Sequence, residues 1–353
     1  MKKKVTLQDV AHAAHVSVAT VSRVVTGGAR VNPEIAERVK IAGRKLGIDL
    51  RRRDRTKVMG FLLSNREMLH PFHSRLLSGA EAYCATHDYN LLFHSFRYGA
   101  KVPWKELHVP AILKRRDLVS GFIVAGANSE NLLHWLTKEG IHFTILGNNV
   151  LGEWQHEKYD VVWFDDRLGA YELSRHLLSL GHRHIWFVGN CQLPWFSRRY
   201  EGFCRAMAEA GLSPQLTEVD SEKDFEVGYL GTKSILSRNE TATAILAGGD
   251  PTAQGVYKAL RDCGFKVPQD MSVAGFDDIE AAMLHPPLTT VQAFPEQVGK
   301  RLAQMLLERL NQPDLPPQQS LIPTQFVNRE SCRPLFLTQE VLSGSNSPVI
   351  QTP

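Results

Sequence analysis

Apolar residues in the first fifty positions recur at helical spacing. Leu7, Val10, Ala11 and Ala14 fall at i, i+3, i+4 and i+7, one face of a helix. Thr6 stands at the N-cap, and Thr6-x-x-Asp9 has the form of a capping box with a shorter acid. After a break at His15-Val16, Ser17 caps a second helix over 18–25. Its Val21, Val24 and Val25 point one way and leave Thr20, Ser22 and Arg23 on the other side. Asn32-Pro33 opens a third helix, striped by Ile35, Val39, Ala42 and Leu46 and ended by Gly47. Three such helices predict one small shared core.

From Val58 the pattern changes to short apolar runs alternating with helical segments. Strands are expected over 58–63, 90–94, 121–124 and 143–146, with helices over 74–86, 107–115 and 130–139. A second series starts near Val161-Val162-Trp163. It continues through helix 168–180, strand 185–188, helices 198–210 and 225–236, strand 244–246, helix 251–263 and strand 272–275. Short buried strands alternating with helices predict parallel sheets covered on both faces. The expected fold is an all-α helix-turn-helix head followed by an α/β body of two doubly wound lobes, with a ligand site in the cleft between them.

The charge distribution separates the two parts. Residues 1–57 hold 14 Lys/Arg against 5 Asp/Glu, a net of +9, and the remainder is −5. A basic head that also has helical spacing points to a polyanionic partner. The second helix suits the major groove because its outer face is small apart from Arg23, which could bond guanine O6 and N7 in bidentate fashion. Thr20 or Ser22 could meet phosphate or base.

Composition narrows the remaining classes. With 353 residues, 43% hydrophobic and 22% charged, the chain reads as two to three globular domains rather than a disordered one. Five widely spaced cysteines, without a C-x-x-C pair, signal neither a disulfide framework nor structural zinc and suit a reducing cytoplasm. No apolar run reaches the roughly 18 residues of a membrane span. Lys2-Lys3-Lys4 is not followed by the apolar run of a secretory signal. His70-x-x-His73 lacks a Cys or Glu to complete a metal set, and adjacent aspartates (Asp165-Asp166, Asp277-Asp278) face opposite ways on extended backbone. No nucleophile elbow or phosphate loop occurs in a suitable context, so neither an enzyme, a cofactor nor a metal is expected.

The stretches 5–11 (VTLQDVA) and 16–25 (VSVATVSRVV), with 31–33 (VNP) and 45–47 (KLG), resemble the head of the LacI/GalR family of bacterial transcription regulators. The body resembles it too, at 176–185 (HLLSLGHRHI), 248–250 (GGD), 267–278 (VPQDMSVAGFDD) and 287–291 (PLTTV). Coverage runs from about Val5 to Ser331. The resemblance implies a cytoplasmic, nucleoid-associated homodimer that represses transcription at a near-palindromic operator under control of a small effector, most simply a sugar. The nearest rival is a cytoplasmic sugar-binding sensor without specific DNA recognition. Val18 and Ala19 take the family's principal base-reading positions, with Arg23 the third reader; a Val-Ala pair there implies an operator with a central CG step. Thr6, Ser17, Thr20 and Ser22 complete the head's DNA-facing set. On the body, Arg199 and Asp277 take the effector-binding arginine and aspartate, Phe72 and His73 a pair of cleft-edge rings, and Asn148, Gly249 and Asp250 sit at further strand ends.

The linker departs from the family. The expected divisions are a head over 1–48, a short basic linker over 49–57, a two-lobe effector and dimerisation body over 58–335, and a disordered tail over 336–353. Members carry a hinge helix whose leucine wedges into the minor groove; here the Ala-Arg-x-Leu motif is missing, and Leu50 is the sole apolar candidate. Five of the residues 51–57 are basic, led by Arg51, Arg52 and Arg53, which suits phosphate contact or insertion into a narrow minor groove. The expected outcome is DNA contact with little bending. A circular-permutation gel assay checks it, and a strong bend at the operator centre overturns it.

Overall fold

The computed structural model describes residues 6–26, 31–46, 57–68, 70–152, 156–238 and 241–335. Gly47, Leu50, the arginines at 51–53 and the tail from 336 lie outside them.

Among the described residues, the head has three helices, α1 (Leu7–Ala13), α2 (Val18–Thr26) and α3 (Pro33–Lys45). The expected caps form. Thr6 and Asp9 make a capping box, Ser17 Oγ accepts from the Thr20 N–H at 3.1 Å, and Asn32 accepts from the Glu34 N–H at 2.9 Å. The turn between α1 and α2 closes with His15 in the left-handed region, φ 50°. Val10, Ala11, Ala14, Val21, Val39 and Ala42 build the shared core. Leu7 does not join it and remains 41% exposed, because the partners of α1 meet its second turn rather than its first. Arg38 of α3 donates to the Ala14 carbonyl at 2.8 Å and fastens α3 to the turn.

Among the described residues, the body contains ten parallel strands in two sheets. One has the order β11 (Gln319–Ile322), β5 (Asp160–Phe164), β4 (Phe143–Leu146), β3 (Gly121–Gly126), β1 (Val58–Ser64), β2 (Asn90–Phe96). The other has β7 (Gln215–Glu218), β6 (Ile185–Gly189), β8 (Ala244–Ala247), β9 (Ser272–Ala274). A short antiparallel pair, β10 (Thr290–Gln292) with β12 (Gln325–Val327), accompanies them. Successive side chains on β1 enter different cores. Met59, Phe61 and Leu63 face the large central cluster, while Leu62 faces the cluster beneath α5 (Glu130–Lys138). On β6, Ile185 and Phe187 join the central cluster, and Trp186 and Val188 join the one beneath α8 (Asp224–Ser237) and α9 (Asp250–Asp262). Both sheets are therefore covered on both faces, as their apolar runs require.

Two expectations are corrected. Residues 161–163 do not begin the second lobe: Val161 and Val162 pair with Ile145 and Leu146, so β5 belongs to the first sheet. The chain then crosses into the second lobe at α6 (Asp166–Ser179) and passes through α7 (Pro194–Glu209). It returns along α10 (Pro295–Asn311) and β11, which pairs with β5, and crosses again to β12. The helix expected over 107–115 is instead a single 3-10 turn, Ala111–Lys114, preceded by another at Trp104–Glu106, each begun after a proline. The first lobe also carries α4 (Pro71–Thr86), packed on α10.

Candidate functional site

On the head, α2 presents Ser17, Val18, Ala19 and Arg23 to solvent, with Thr20 and Ser22 half-buried and Val21 fully buried beneath them. Val18 is 43% exposed, although an aliphatic residue normally seeks the core. The hydroxyls are largely occupied in capping. Thr6 Oγ1 donates to Asp9 at 2.7 Å, and the Ser17 and Thr20 hydroxyls lie 2.9 Å apart. One hydrogen of the latter pair remains available to an acceptor. This face offers a shallow apolar surface flanked by a guanidinium, which a base edge can approach closely.

In the body, the lobes enclose a cleft of about 350 Å³ including its open mouth. Its lining residues follow strand C-termini in both sheets. Arg66, His70, Phe72 and His73 come after β1, Asn149 after β4, and Phe164 ends β5. From the other lobe come Trp195, Phe196 and Arg199 after β6, Asp224 after β7, Gly249 after β8 and Asp277 after β9.

Arg199 organises this site. Its guanidinium is buried and lies 3.9 Å from the Phe276 ring centroid. It donates to Asp166 at 2.9 Å, to Asp277 at 2.7 Å and to the Gly248 carbonyl at 2.6 Å. Asp277 itself has φ 107°, a conformation disfavoured for any side-chain-bearing residue. It is held there by the Arg199 pair and by its own N–H to the Val291 carbonyl at 2.7 Å. Burial pushes the Asp277 carboxyl up to about 6, against the opposing pull of Arg199. Gly249 leaves room beside this pair: a Cβ there would stand 3.4 Å from the Asp277 carboxylate and 3.6 Å from the guanidinium.

The first lobe supplies rings and a second set of polar groups. Phe72 and Phe164 have centroids 5.9 Å apart, and Phe72 meets His73 edge to face. His73 accepts at Nε2 from Asn149 at 3.0 Å. Burial, then the neighbouring His70 and Arg66, lower its pKa well below the ordinary value. It is neutral at pH 7, with its remaining proton on Nδ1. Arg66 donates to Asp224 at 2.9 Å, and His70 Nε2 lies 3.0 Å from the same oxygen. Burial works to raise the Asp224 pKa, but Arg66 and His70 outweigh it and hold it at about 2.

Phe72, His73, Arg199, Gly249 and Asp277 are thus brought together, whereas Asn148 and Asp250 lie behind the wall. Asn148 is fully buried and donates to the Phe164 carbonyl at 2.7 Å and to Asp166 at 2.6 Å; its neighbour Asn149 faces the cleft. Asp250 accepts from the Ile279 N–H at 2.6 Å and the Thr290 hydroxyl at 2.8 Å, tying α9 to the β10 layer. Burial, and then Asp277, raise its pKa well above the ordinary value, so it acts as a buried structural acid. Sequence reasoning missed Arg66, Asn149 and Asp224. The only local signal for the last is an acid at the start of a helical segment.

Comparison with known proteins finds relatives along most of the chain. Residues 6–47 match the model described as bacterial regulatory proteins, lacI family, and residues 174–332 match a periplasmic binding protein-like domain. The ribose operon repressor of Haemophilus influenzae is 31% identical over 322 residues, covering 88% of this chain and 93% of its own. The HTH-type transcriptional repressor PurR of Glaesserella parasuis is 29% identical, covering 90% and 94% respectively. A LacI family regulator from Enterococcus faecium with bound ribose superposes with a TM-score of 0.68 at 27% identity, over 79% of this chain and 99% of that one. The lac repressor dimer bound to operator and an anti-inducer superposes at 0.66 over 94% of this chain, and at 21% identity it speaks to the fold alone.

Replacing Arg199 by Met leaves Asp277 buried without its cation and Asp166 with Arg198 alone, at 3.4 Å. The expected loss is about 3–5 kcal/mol of stability, read from denaturant unfolding of the full chain; a loss under about 1 kcal/mol contradicts the organising role given to Arg199.

Proposed function

The chain belongs to the lacI family of bacterial regulatory proteins, and from that premise we propose how this ligand-controlled DNA-binding repressor divides its work. A homodimer places two heads on a near-palindromic operator, as cyclic symmetry requires. Each α2 enters the major groove with Val18 and Ala19 against base edges and Arg23 on guanine, while Thr6, Ser17, Thr20, Ser22 and the arginines at 51–53 contact backbone or groove. An uncharged sugar occupies the cleft, with its ring on Phe72 and its hydroxyls on Arg199, Asp277 and His73. The protein works in the bacterial cytoplasm at the nucleoid. Its five cysteines are free, in keeping with a reducing compartment, and among the described residues no helix is long and apolar enough to cross a membrane.

The observation that carries the effector role is the Arg199–Asp277 pair itself. It is buried and strained, yet lines a cleft rather than a closed core. Guanidinium and carboxylate edges together serve the donor and acceptor sides of neighbouring hydroxyls. Ribose is the first sugar to try, because a relative is named for the ribose operon and a structural neighbour holds ribose. The sensor-only reading would leave the exposed Val18 face of α2 without purpose.

The discriminating variant is Arg23→Ala, measured by anisotropy at fixed salt on an operator selected from random duplexes. Losing a bidentate guanine contact is expected to weaken binding roughly 5- to 150-fold, corresponding to about 1–3 kcal/mol, with sugar binding unchanged. Unaltered DNA affinity, or failure of the wild type to enrich any common site, overturns the DNA-reading role.

A further inference from the structure

The cleft has polar atoms that the protein itself does not satisfy. Arg66 Nε, His70 Nδ1, His73 Nδ1 and Asp224 Oδ1 are buried and have no hydrogen-bond partner, and all four residues line the cleft. Buried polar groups ordinarily find partners, so a cluster of exceptions facing one cavity points to a molecule that supplies them.

Arg66 and Asp224 lie 158 residues apart in sequence and on opposite lobes. Their side chains are 3% and 6% exposed. Arg66 Nη2 donates to Asp224 Oδ2 at 2.9 Å, Nη1 donates to the Glu222 carbonyl at 3.1 Å, and the guanidinium lies 4.8 Å from the Trp195 ring centroid. The unused atoms are the neighbours of the bonded ones: Nε on the same guanidinium and Oδ1 on the same carboxylate. One donor and one acceptor are therefore left over, one on each side of the lobe boundary. Adjacent hydroxyls answer such a pair, one accepting from Nε and one donating to Oδ1.

The charge balance restricts the ligand further. Among the lining residues Arg66 is matched by Asp224 and Arg199 by Asp277, with Asp166 behind it. An anionic ligand would meet these carboxylates with no uncommitted arginine to receive it.

We propose that Arg66 and Asp224 are specificity-determining residues, an interlobe pair that grips two adjacent hydroxyls of an uncharged sugar and excludes its phosphate ester. This rests on the effector reading of the cleft and extends it to a second polar pole beside Arg199 and Asp277. The rim pair Arg97–Glu222 also joins the lobes, at 2.8 Å, but its side chains are 57% and 67% exposed and take no part in recognition.

The test uses the full-length protein in titration calorimetry. The probes are neutral pentoses and hexoses, beginning with D-ribose. For the tightest binder the monodeoxy analogues and the phosphate ester follow. In the wild type, removing one hydroxyl of an adjacent pair is expected to weaken binding at least tenfold, and the ester should not bind. In Asp224→Asn and Arg66→Gln the parent sugar is expected to bind at least tenfold more weakly, and the deoxy penalty should fall below threefold. Arg66→Lys keeps the charge without Nε, and it gives the same readout if the Gln variant does not fold. Arg97→Ala should stay within twofold of wild type. If every deoxy penalty persists in the Arg66 and Asp224 variants, or if the ester binds better than the sugar, the proposal is overturned while the effector reading stands. If no sugar binds the wild type, the effector reading fails and takes the proposal with it.

Discussion

The body depends on one buried guanidinium. Arg199 sits between Asp166 and Asp277, over Phe276, with Gly248 accepting its third contact. These partners follow β5, β8 and β9, so a single side chain fixes the ends of strands from both sheets. Asp166 also receives Asn148 at 2.6 Å, which carries the chain of bonds back into the first lobe. A buried ion pair is weak evidence of stability, because desolvating the charges offsets most of their attraction. Its value here is positional: it holds Asp277 in a backbone conformation that the loop would not keep alone.

The same burial sets the protonation pattern around the cleft. Desolvation keeps His73 neutral and lifts Asp277 towards 6, while Asp224 stays ionised because Arg66 and His70 outweigh its burial. The wall therefore offers neutral imidazole, paired carboxylates and paired guanidiniums next to aromatic faces. Such a surface discriminates by the placement of donors and acceptors rather than by net charge, since each full charge already has a counterpart.

The sequence disclosed the local structure better than the long-range structure. The three helices of the head were legible because their caps and apolar stripes lie within a few residues of one another. Most strands of the body were legible as apolar runs, but a run does not say which sheet it joins. β5 read as the start of the second lobe because it is followed by a helix of that lobe, and only its pairing with β4 assigns it to the first. The return through α10 and β11 escaped for the same reason. In the cleft, Arg199 and Asp277 were reached through family resemblance. Asn148 was preferred to Asn149 because nothing local tells which of two adjacent amides turns inward. Arg66 and Asp224 were not found, since only the folded lobes bring them into contact. The expectations on the linker and tail concern residues outside those described.

The two functional surfaces work by opposite uses of charge, and this limits how they can communicate. The head carries excess positive charge, which acts on a polyanion over roughly a Debye length of about 8 Å at physiological salt and weakens as salt rises. The cleft carries compensated charge, whose influence dies away within contact distance. On the proposed reading, an uncharged ligand closing on Arg199, Asp277 and the first-lobe rings therefore sends no appreciable field to the DNA-binding face. What it can change is the relation of one lobe to the other, because its contacts come from both. The chain crosses between lobes three times, so a shift of the first lobe is constrained by three connections and by the Asn148–Asp166–Arg199 series of bonds. On the proposed reading the coupling is then mechanical. Linkage requires it to be reciprocal: operator binding must change effector affinity by the same factor as the effector changes operator affinity.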